Sequence, residues 1–340
     1  MNQRPTGPMD PRKARQLLIR VTVAPIVIGL MIAGLYVWLF AAAFSQPQPH
    51  ALPVGVVGPE PAVAAITAGL DKNAPGAFSV TTYESADAAR AAIDDRTIAG
   101  AYIAGPGAPQ ILVASGNSAA SAGAISGAFG AIAKATGAVP TVTDIHPLTS
   151  TDPQGVVPFF LILGVSQTGL LYQMITGFMP FRPSRRVRLA AMTVFAIVAG
   201  LTAACAYGLV LGFSSSFWLL ALTCIGVAWA VAAPTAALQS MFGLPGVGLA
   251  ALFFMMLGGS SSGGMTGAPF APDGFRQLAA IMPNGVGLFS VRSALYFDGA
   301  AMLVPLLILA AWIVGGLVVM GAVESRQPRV AAHSAVLQPA

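Results

Sequence analysis

LAAMTVFAIVAGLTAACAYGLVLGFSSSFWLLALTCIGVAWAVAAPTAALQSMFGLPGVGLAALFFMMLGGSSSGGMTGAPFAP, from Leu189 to Pro272, is 84 residues without an Asp, Glu, Lys, Arg or His. A helix needs about 20 apolar residues to cross the hydrocarbon core of a bilayer, so this one stretch is several spans long. The rest of the 340-residue chain agrees: 56% of it is hydrophobic and 9% charged, against about a quarter charged in soluble proteins. A pair of soluble domains and intrinsic disorder are both excluded. The net charge of +5 is explained by membrane topology, so no nucleic-acid partner is expected. Cys205 and Cys224 both lie in apolar runs, which excludes a disulfide framework.

Working outward from that stretch, six segments reach or approach spanning length: Val21 to Phe44, Val156 to Phe178, Leu189 to Phe213, Phe217 to Phe242, Gly246 to Ser262 and Ala300 to Val323. The fifth is the shortest and is rich in glycine. Lys and Arg in short loops set orientation. Arg4, Arg12, Lys13, Arg15 and Arg20 precede the first span; Arg182, Arg185, Arg186 and Arg188 separate the second from the third; Arg326 and Arg329 follow the sixth. Six spans put all three clusters on one side, expected to be cytoplasmic, with 11 basic and 2 acidic residues against 6 basic and 10 acidic on the other. The basic start, apolar run and Ala41 to Ser45 could also read as a cleaved signal peptide. A 24-residue run exceeds the roughly 7–15 residues of a signal core, which favours an uncleaved anchor.

Only Gln46 to Pro153 has soluble composition. LPVGVVG (Leu52 to Gly58) reads as a buried parallel strand, Pro59 to Leu70 as a helix, FSVTTY as a strand and SADAARAAIDDR as a helix with Ser85 at its N-cap. IAGAYIAG and QILVAS read as further strands joined by a Gly-Pro turn, Asn117 to Thr136 as a small-residue helix, and VPTVTDIHPLT as an extended return. The alternation predicts a folded α/β domain of about 100 residues. The expected fold is thus a polytopic α-helical membrane protein with six transmembrane helices and a small extracytoplasmic α/β domain between the first two. Its parts are a basic cytoplasmic segment (1–20), the first helix (21–44), the α/β domain (45–155), a five-helix membrane domain (156–323) with an external hairpin (263–298), and a cytoplasmic tail (324–340). The Pro- and Ala-rich tails, Met1 to Asp10 and Gln327 to Ala340, are expected to be disordered.

Gly259-Ser260-Ser261-Ser262-Gly263 matches the serine-hydrolase pattern, but it ends an apolar helix, and His50, His146 and His333 all lie outside the spans. Helix packing or a helix break is the better reading. Gly246-Val247-Gly248 follows no strand of a βαβ unit, and none of Lys13, Lys72 and Lys134 follows a glycine, so neither a dinucleotide fingerprint nor a P-loop is present. No enzymatic activity and no cofactor are expected. Asp144 and His146 offer two ligands without a third, a weak metal site. Gly208-x-x-x-Gly212 permits close helix approach, within the chain or in a dimer. No ionisable residue lies mid-span, which disfavours ion-coupled antiport. Gln167, Gln173 and Gln239 line a polar path or bond between helices. Asp273, Arg276, Arg292 and Asp298, the only charges between Arg188 and Glu324, are expected to meet water or one another, with Arg292 paired to Asp298 or Asp273.

Three stretches carry a family resemblance: LPVGVVGPE from Leu52, DPQGVVPFFLILGVSQTGLL from Asp152, and Ser261-Ser262-Gly263-Gly264 followed by Pro269, Phe270, Pro272, Pro283 and Arg292. Together they resemble the type-2 ABC exporter permeases, in particular the phage infection protein (YhgE/Pip) branch. The resemblance implies an exporter-like membrane subunit, homodimeric and served by a separate ATPase subunit, acting on a lipid or another hydrophobic small molecule at the cell envelope. The alternative is a non-transporting envelope scaffold or receptor whose external domain binds a partner protein or phage component. Separately, the glycine-rich break and recurring prolines from Gly258 to Asp298 are expected to form a gate or pathway, at Ser261, Ser262, Gly263, Gly264, Pro269, Pro283 and Arg292, or else a passive loop with solvated charges.

Overall fold

A computed structural model describes residues 10–45, 47–105, 107–180, 183–213 and 215–326. Arg4, Arg182, Arg329, His333 and the tails expected to be disordered lie outside the described residues, as does Pro106 of the Gly-Pro turn. Among the described residues six helices are long and apolar enough to cross a membrane: Ile19–Phe44, Val157–Gly177, Arg185–Leu211, Phe217–Phe242, Leu244–Ser261 and Leu303–Arg326. The protein is therefore a membrane protein by its helical pattern. Each bound lies within four residues of the sequence expectation, and the offsets have local causes. The third span starts at Arg185 because Ser184 caps it, its Oγ accepting from Val187 N at 3.5 Å.

The chain opens with α1 (Pro11–Leu18), where the Asp10 carboxylate caps Arg12 N at 2.9 Å, and continues through a π-helical stretch (Ile19–Val23) into α2 (Ala24–Phe44). The α/β unit follows, as β1 (Leu52–Val57), α3 (Glu60–Asn73), β2 (Phe78–Tyr83), α4 (Ala86–Asp94), β3 (Gly100–Ile103), β4 (Gln110–Val113), α5 (Ala119–Ala135) and β5 (Thr141–Asp144). Its sheet runs β2-β1-β3-β4-β5, with β1 parallel to β2 and β3, β4 antiparallel to β3, and β5 parallel to β4. β1 is central and almost wholly buried, which is why it is written as a continuous apolar run. On one face Leu52, Val54 and Val56 pack with Ile66 and Leu70 of α3 and Ile125 and Phe129 of α5. On the other, Val57, Ala101 and Leu112 pack with Ile93 of α4 and with Tyr296 and Phe297, so part of this core comes from the membrane domain.

The membrane domain comprises α6 (Val157–Gly177), α7 (Arg185–Leu211), α8 (Phe217–Phe242), α9 (Leu244–Ala251), a π-helical stretch (Leu252–Leu257), α10 (Gly258–Ser261), α11 (Asp273–Ala279), α12 (Pro283–Tyr296) and α13 (Leu303–Arg326). α8 is its centre, packed against α6, α7, α9, α12 and α13. It is lined with alanines and carries Pro234 in its interior. Neighbours reach it backbone to backbone: a Cβ on Gly200 of α7 would lie 2.5 Å from Ile225 N, and one on Gly316 of α13 would lie 2.5 Å from Pro234 N. Small residues at such crossings permit the dispersion contacts that hold helices together in lipid. Within the chain the Gly208–Gly212 pair does not serve this purpose. Gly212 ends α7 at φ 97°, and the Phe213 ring folds over Gly208, 2.5 Å from where a Cβ would sit.

At the end of the bundle away from the α/β unit, Arg188 joins three spans, donating to Glu324 Oε1 at 2.7 Å, Gln239 Oε1 at 3.0 Å and Ser240 Oγ at 3.1 Å. The expected external hairpin needs correction. Between the fifth and sixth spans, α11 and α12 form a pair bent by 68°, the geometry of a broken span or a re-entrant loop. α12 packs on α6, α8 and α13 and is buried along most of its length.

Candidate functional site

The fifth span ends where the backbone turns left-handed at Gly263 (φ 81°) and Gly264 (φ 54°). Only glycine adopts this pair without strain, and a Cβ on Gly263 would lie 2.2 Å from Ala268 N. The three serines before this turn are buried and bond back into their own helix: Ser260 Oγ to Leu257 O (3.2 Å), Ser261 Oγ to Gly258 O (3.4 Å) and Ser262 Oγ to Gly259 O (2.8 Å). They terminate a helix, as expected, and do not sit on the strand-to-helix turn of a hydrolase. A short 3₁₀ turn (Ala268–Phe270) follows, and Pro269 O accepts from His50 N at 2.9 Å. Pro283 starts α12 in the first helical turn, where its missing N–H matters least.

The charges on this segment are not all solvated. Asp273 pairs with Arg276 at 2.7 Å, and Arg276 also donates to His50 O at 2.7 Å. Arg292 pairs with neither Asp298 nor Asp273. It is 5% exposed and makes no ion pair among the described residues; its Nη2 lies 3.4 Å from both Gly264 O and Met265 O. Asp152, the acid whose field reaches Arg292, accepts from Val156 N and Val157 N at 2.9 Å each, capping α6.

Arg292 faces a cavity of about 250 Å³ between the α/β unit and the turn. Arg96, Asn117, Ser118, Ser121 and Ser262 line it too, and none of its lining residues is acidic. Arg96 follows α4 at φ 59°, and its side chain crosses to the membrane domain. Nη1 donates to Phe289 O at 2.8 Å and to Ser293 Oγ, Nη2 donates to Asn117 Oδ1 at 2.7 Å, and the guanidinium lies 3.7 Å from the Phe289 ring centre. Its Nε is buried without a partner. Burial, and then the charge of Arg292, push the Arg96 guanidinium down to about 9. That is still above neutrality, so two cations share one enclosure at pH 7. Ser118 caps α5, accepting from Ser121 N at 3.3 Å, and donates to Thr266 O. Ser121 is 1% exposed and its hydroxyl has no partner.

The glutamines lie elsewhere. Gln173 donates to Ala232 O at 3.2 Å and Gln239 to Gln173 O at 2.6 Å, so these two are bonds between α6 and α8 near the Arg188 end. Gln167 is exposed on α6, on the wall of an apolar cleft of about 390 Å³. A larger cleft of about 610 Å³ lies between α8, the π-helical stretch and α13, lined by Pro234, Phe253, Phe254, Trp312 and Gly316. Trp312 bridges it to the bend, Nε1 donating to Ile281 O at 2.7 Å. His146 pairs with Asp94 at 2.8 Å while Asp144 holds Ser115. Among the described residues no group of three His, Cys, Asp or Glu side chains could hold a metal.

No protein-family model, curated protein or solved structure matches the chain. The sequence singled out Ser262 and Arg292 and the structure brings them together. It did not single out Arg96, Asn117, Ser118 or Ser121. Arg96 ends one of the helices read from sequence and Asn117 begins another, but the proximity of each to Arg292 is purely tertiary.

Proposed function

We propose that the chain is a type-2 exporter-like membrane subunit that moves or presents a hydrophobic or amphipathic compound at the cell envelope. Both termini are then cytoplasmic and residues 45–155 extracytoplasmic. The observation that carries this reading is the bent α11–α12 pair, which fills the α/β end of the bundle beside apolar clefts large enough for acyl chains. An ion-coupled carrier would place ionisable groups mid-span. Among the described residues, the Asp, Glu, Lys and Arg side chains of the six candidate spans sit in terminal turns, at Arg20, Arg185, Arg186, Arg188, Glu324 and Arg326, and Arg292 lies on α12 of the bent pair, so the reading takes its energy from outside, from a separate ATPase subunit. Homodimerisation is proposed on the first span, whose most apolar window is 6% buried.

The test is co-purification of the tagged full chain from native membranes. A stoichiometric ATPase supports the reading. An envelope partner alone replaces it with a non-transporting scaffold or receptor. One observation favours that second reading: β5 closes the sheet as an edge strand with Val142 and the preceding Val139 exposed, a surface suited to strand addition.

A further inference from the structure

We propose that the enclosure between Arg96 and Arg292 is an anion site that takes a phosphate group, with the headgroup of an amphiphile as its source. Two guanidinium groups line a recess of about 250 Å³ that has no carboxylate on its wall. That volume corresponds to roughly eight waters, room for a phosphate with a small substituent. Cations held together out of bulk water repel each other, and Asp152, the acid whose field reaches Arg292, is off the cavity wall and caps the first turn of α6. An anion relieves this repulsion and supplies the missing acceptors.

The donors approach from three elements. Arg96 comes from the end of α4, Arg292 from α12, and Ser121 from the first turn of α5, a 17-residue helix whose N-terminus carries partial positive charge. The Ser121 hydroxyl is fully buried on the cavity wall and unpartnered, as is Arg96 Nε. Among the described residues Arg292 has two long hydrogen bonds, both from Nη2. Donors diverging from three sides match a tetrahedral oxyanion better than a planar carboxylate. Ser262, the last residue before the fifth span turns back, forms the floor, which sets the site at the level of lipid headgroups once the spans are embedded. As a binding site this stands without the transport reading; as the class of cargo it rests on it.

The experiment uses the full chain in a neutral detergent and follows the thermal midpoint. One arm titrates inorganic phosphate at constant ionic strength set with chloride. The other titrates dioctanoyl phosphatidylglycerol against dioctanoylglycerol, which lacks the phosphate. Saturable stabilisation by the phospholipid alone assigns a headgroup; stabilisation by inorganic phosphate as well assigns the phosphate as the recognised unit. Either supports the site. Arg292→Gln should weaken the response about tenfold or more. Ser121→Asp should raise the midpoint without ligand and abolish the response, because its carboxylate takes the anion's place. Arg90→Gln, exposed on α4, should respond as the wild type. No response to either phosphate source, or an undiminished response in both Arg292→Gln and Ser121→Asp, overturns the proposal. The readout needs no ATPase, so its failure is distinct from failure to co-purify one.

Discussion

Gly316 and its neighbour Gly315 make a sharp test of how α13 is seated on α8. A Cβ at Gly316 would lie 2.5 Å from Pro234 N and 2.6 Å from the Ala233 carbonyl carbon, whereas one at Gly315 would meet nothing within 4 Å. The obstacles at Gly316 are backbone atoms of the central helix, so no side-chain rotation relieves them. The two helices must part by about 1 Å to restore ordinary van der Waals separation. Overpacking of this kind costs about 1–3 kcal/mol, and rigid backbone puts Gly316→Ala at the upper end. Gly315→Ala meets no clash and gains up to about 1 kcal/mol of helix propensity. The expected gap between the variants is thus about 2–4 kcal/mol, or roughly 4–8 °C in midpoint at about 2 °C per kcal/mol for a long chain. Detergent-solubilised full-length protein, heated and then quantified by fluorescence-detected size exclusion, gives the ranking even where unfolding is irreversible. Both glycines also line the 610 Å³ cleft, so loss of activity alone would not separate packing from pathway; the stability ranking does. Equal midpoints, or a less stable Gly315→Ala, would refute the backbone-to-backbone seating of α13.

At the opposite end of the bundle, Arg188→Leu leaves Glu324, Gln239 and Ser240 without their shared donor. It should destabilise by about 1–3 kcal/mol while the exposed Arg186→Leu stays near wild type in the same thermal assay. In a background lacking Cys205 and Cys224, an impermeant thiol reagent should label Asp273→Cys rapidly and Ser262→Cys slowly, since Asp273 is exposed and Ser262 is 3% exposed; equal rates would mean that the turn is not enclosed. Reporter fusions after Arg188 and Arg326 should be cytoplasmic and one after Asp144 external, and an external signal at Arg188 would invert the topology. Purified and reconstituted alone, the chain should catalyse no energised transport, and proton-driven uphill flux would contradict the need for an ATPase.

The spans were legible because an uncharged run of 84 residues admits few other readings, and the α/β unit because β1 and Ser85 each carry a local signal. Ser85 caps α4 by accepting from Ala88 N at 3.1 Å, as its position before an Ala-rich helix implies. α12 was not legible as a buried helix. Asn284, Gly285 and Gly287 lower its helix propensity, and Arg292 makes it read as solvated. Tertiary packing overrides both signals. Gly287 lets the helix press against Val227, whose Cγ2 would lie 2.6 Å from an added Cβ, and Gly285 does the same against Ala279 O at 2.2 Å. The glycines that suggest a loop are what admit α12 to the bundle, and a sequence window contains no information about the partner surfaces.

Arg96 carries the same lesson from local geometry to mechanism. Thr97 N donates to Ala92 O and Arg96 N to Ile93 O, each at 2.9 Å, which is a Schellman ending with Arg96 at the left-handed position that glycine normally fills. A left-handed L-residue costs about 1–2 kcal/mol there, so the backbone alone favours glycine. The side chain offsets that cost through hydrogen bonds to Phe289 and Ser293 of α12 and to Asn117 at the start of α5. The strained residue therefore holds together the α/β unit, α12 and the wall of the proposed anion site. Because one guanidinium does all three, occupation of the site by an anion cannot be energetically independent of how the α/β unit rests on α12. Whatever neutralises Arg96 and Arg292 also sets the strength of that contact, so an anion in the proposed site would be coupled to the seating of α12 against the α/β unit.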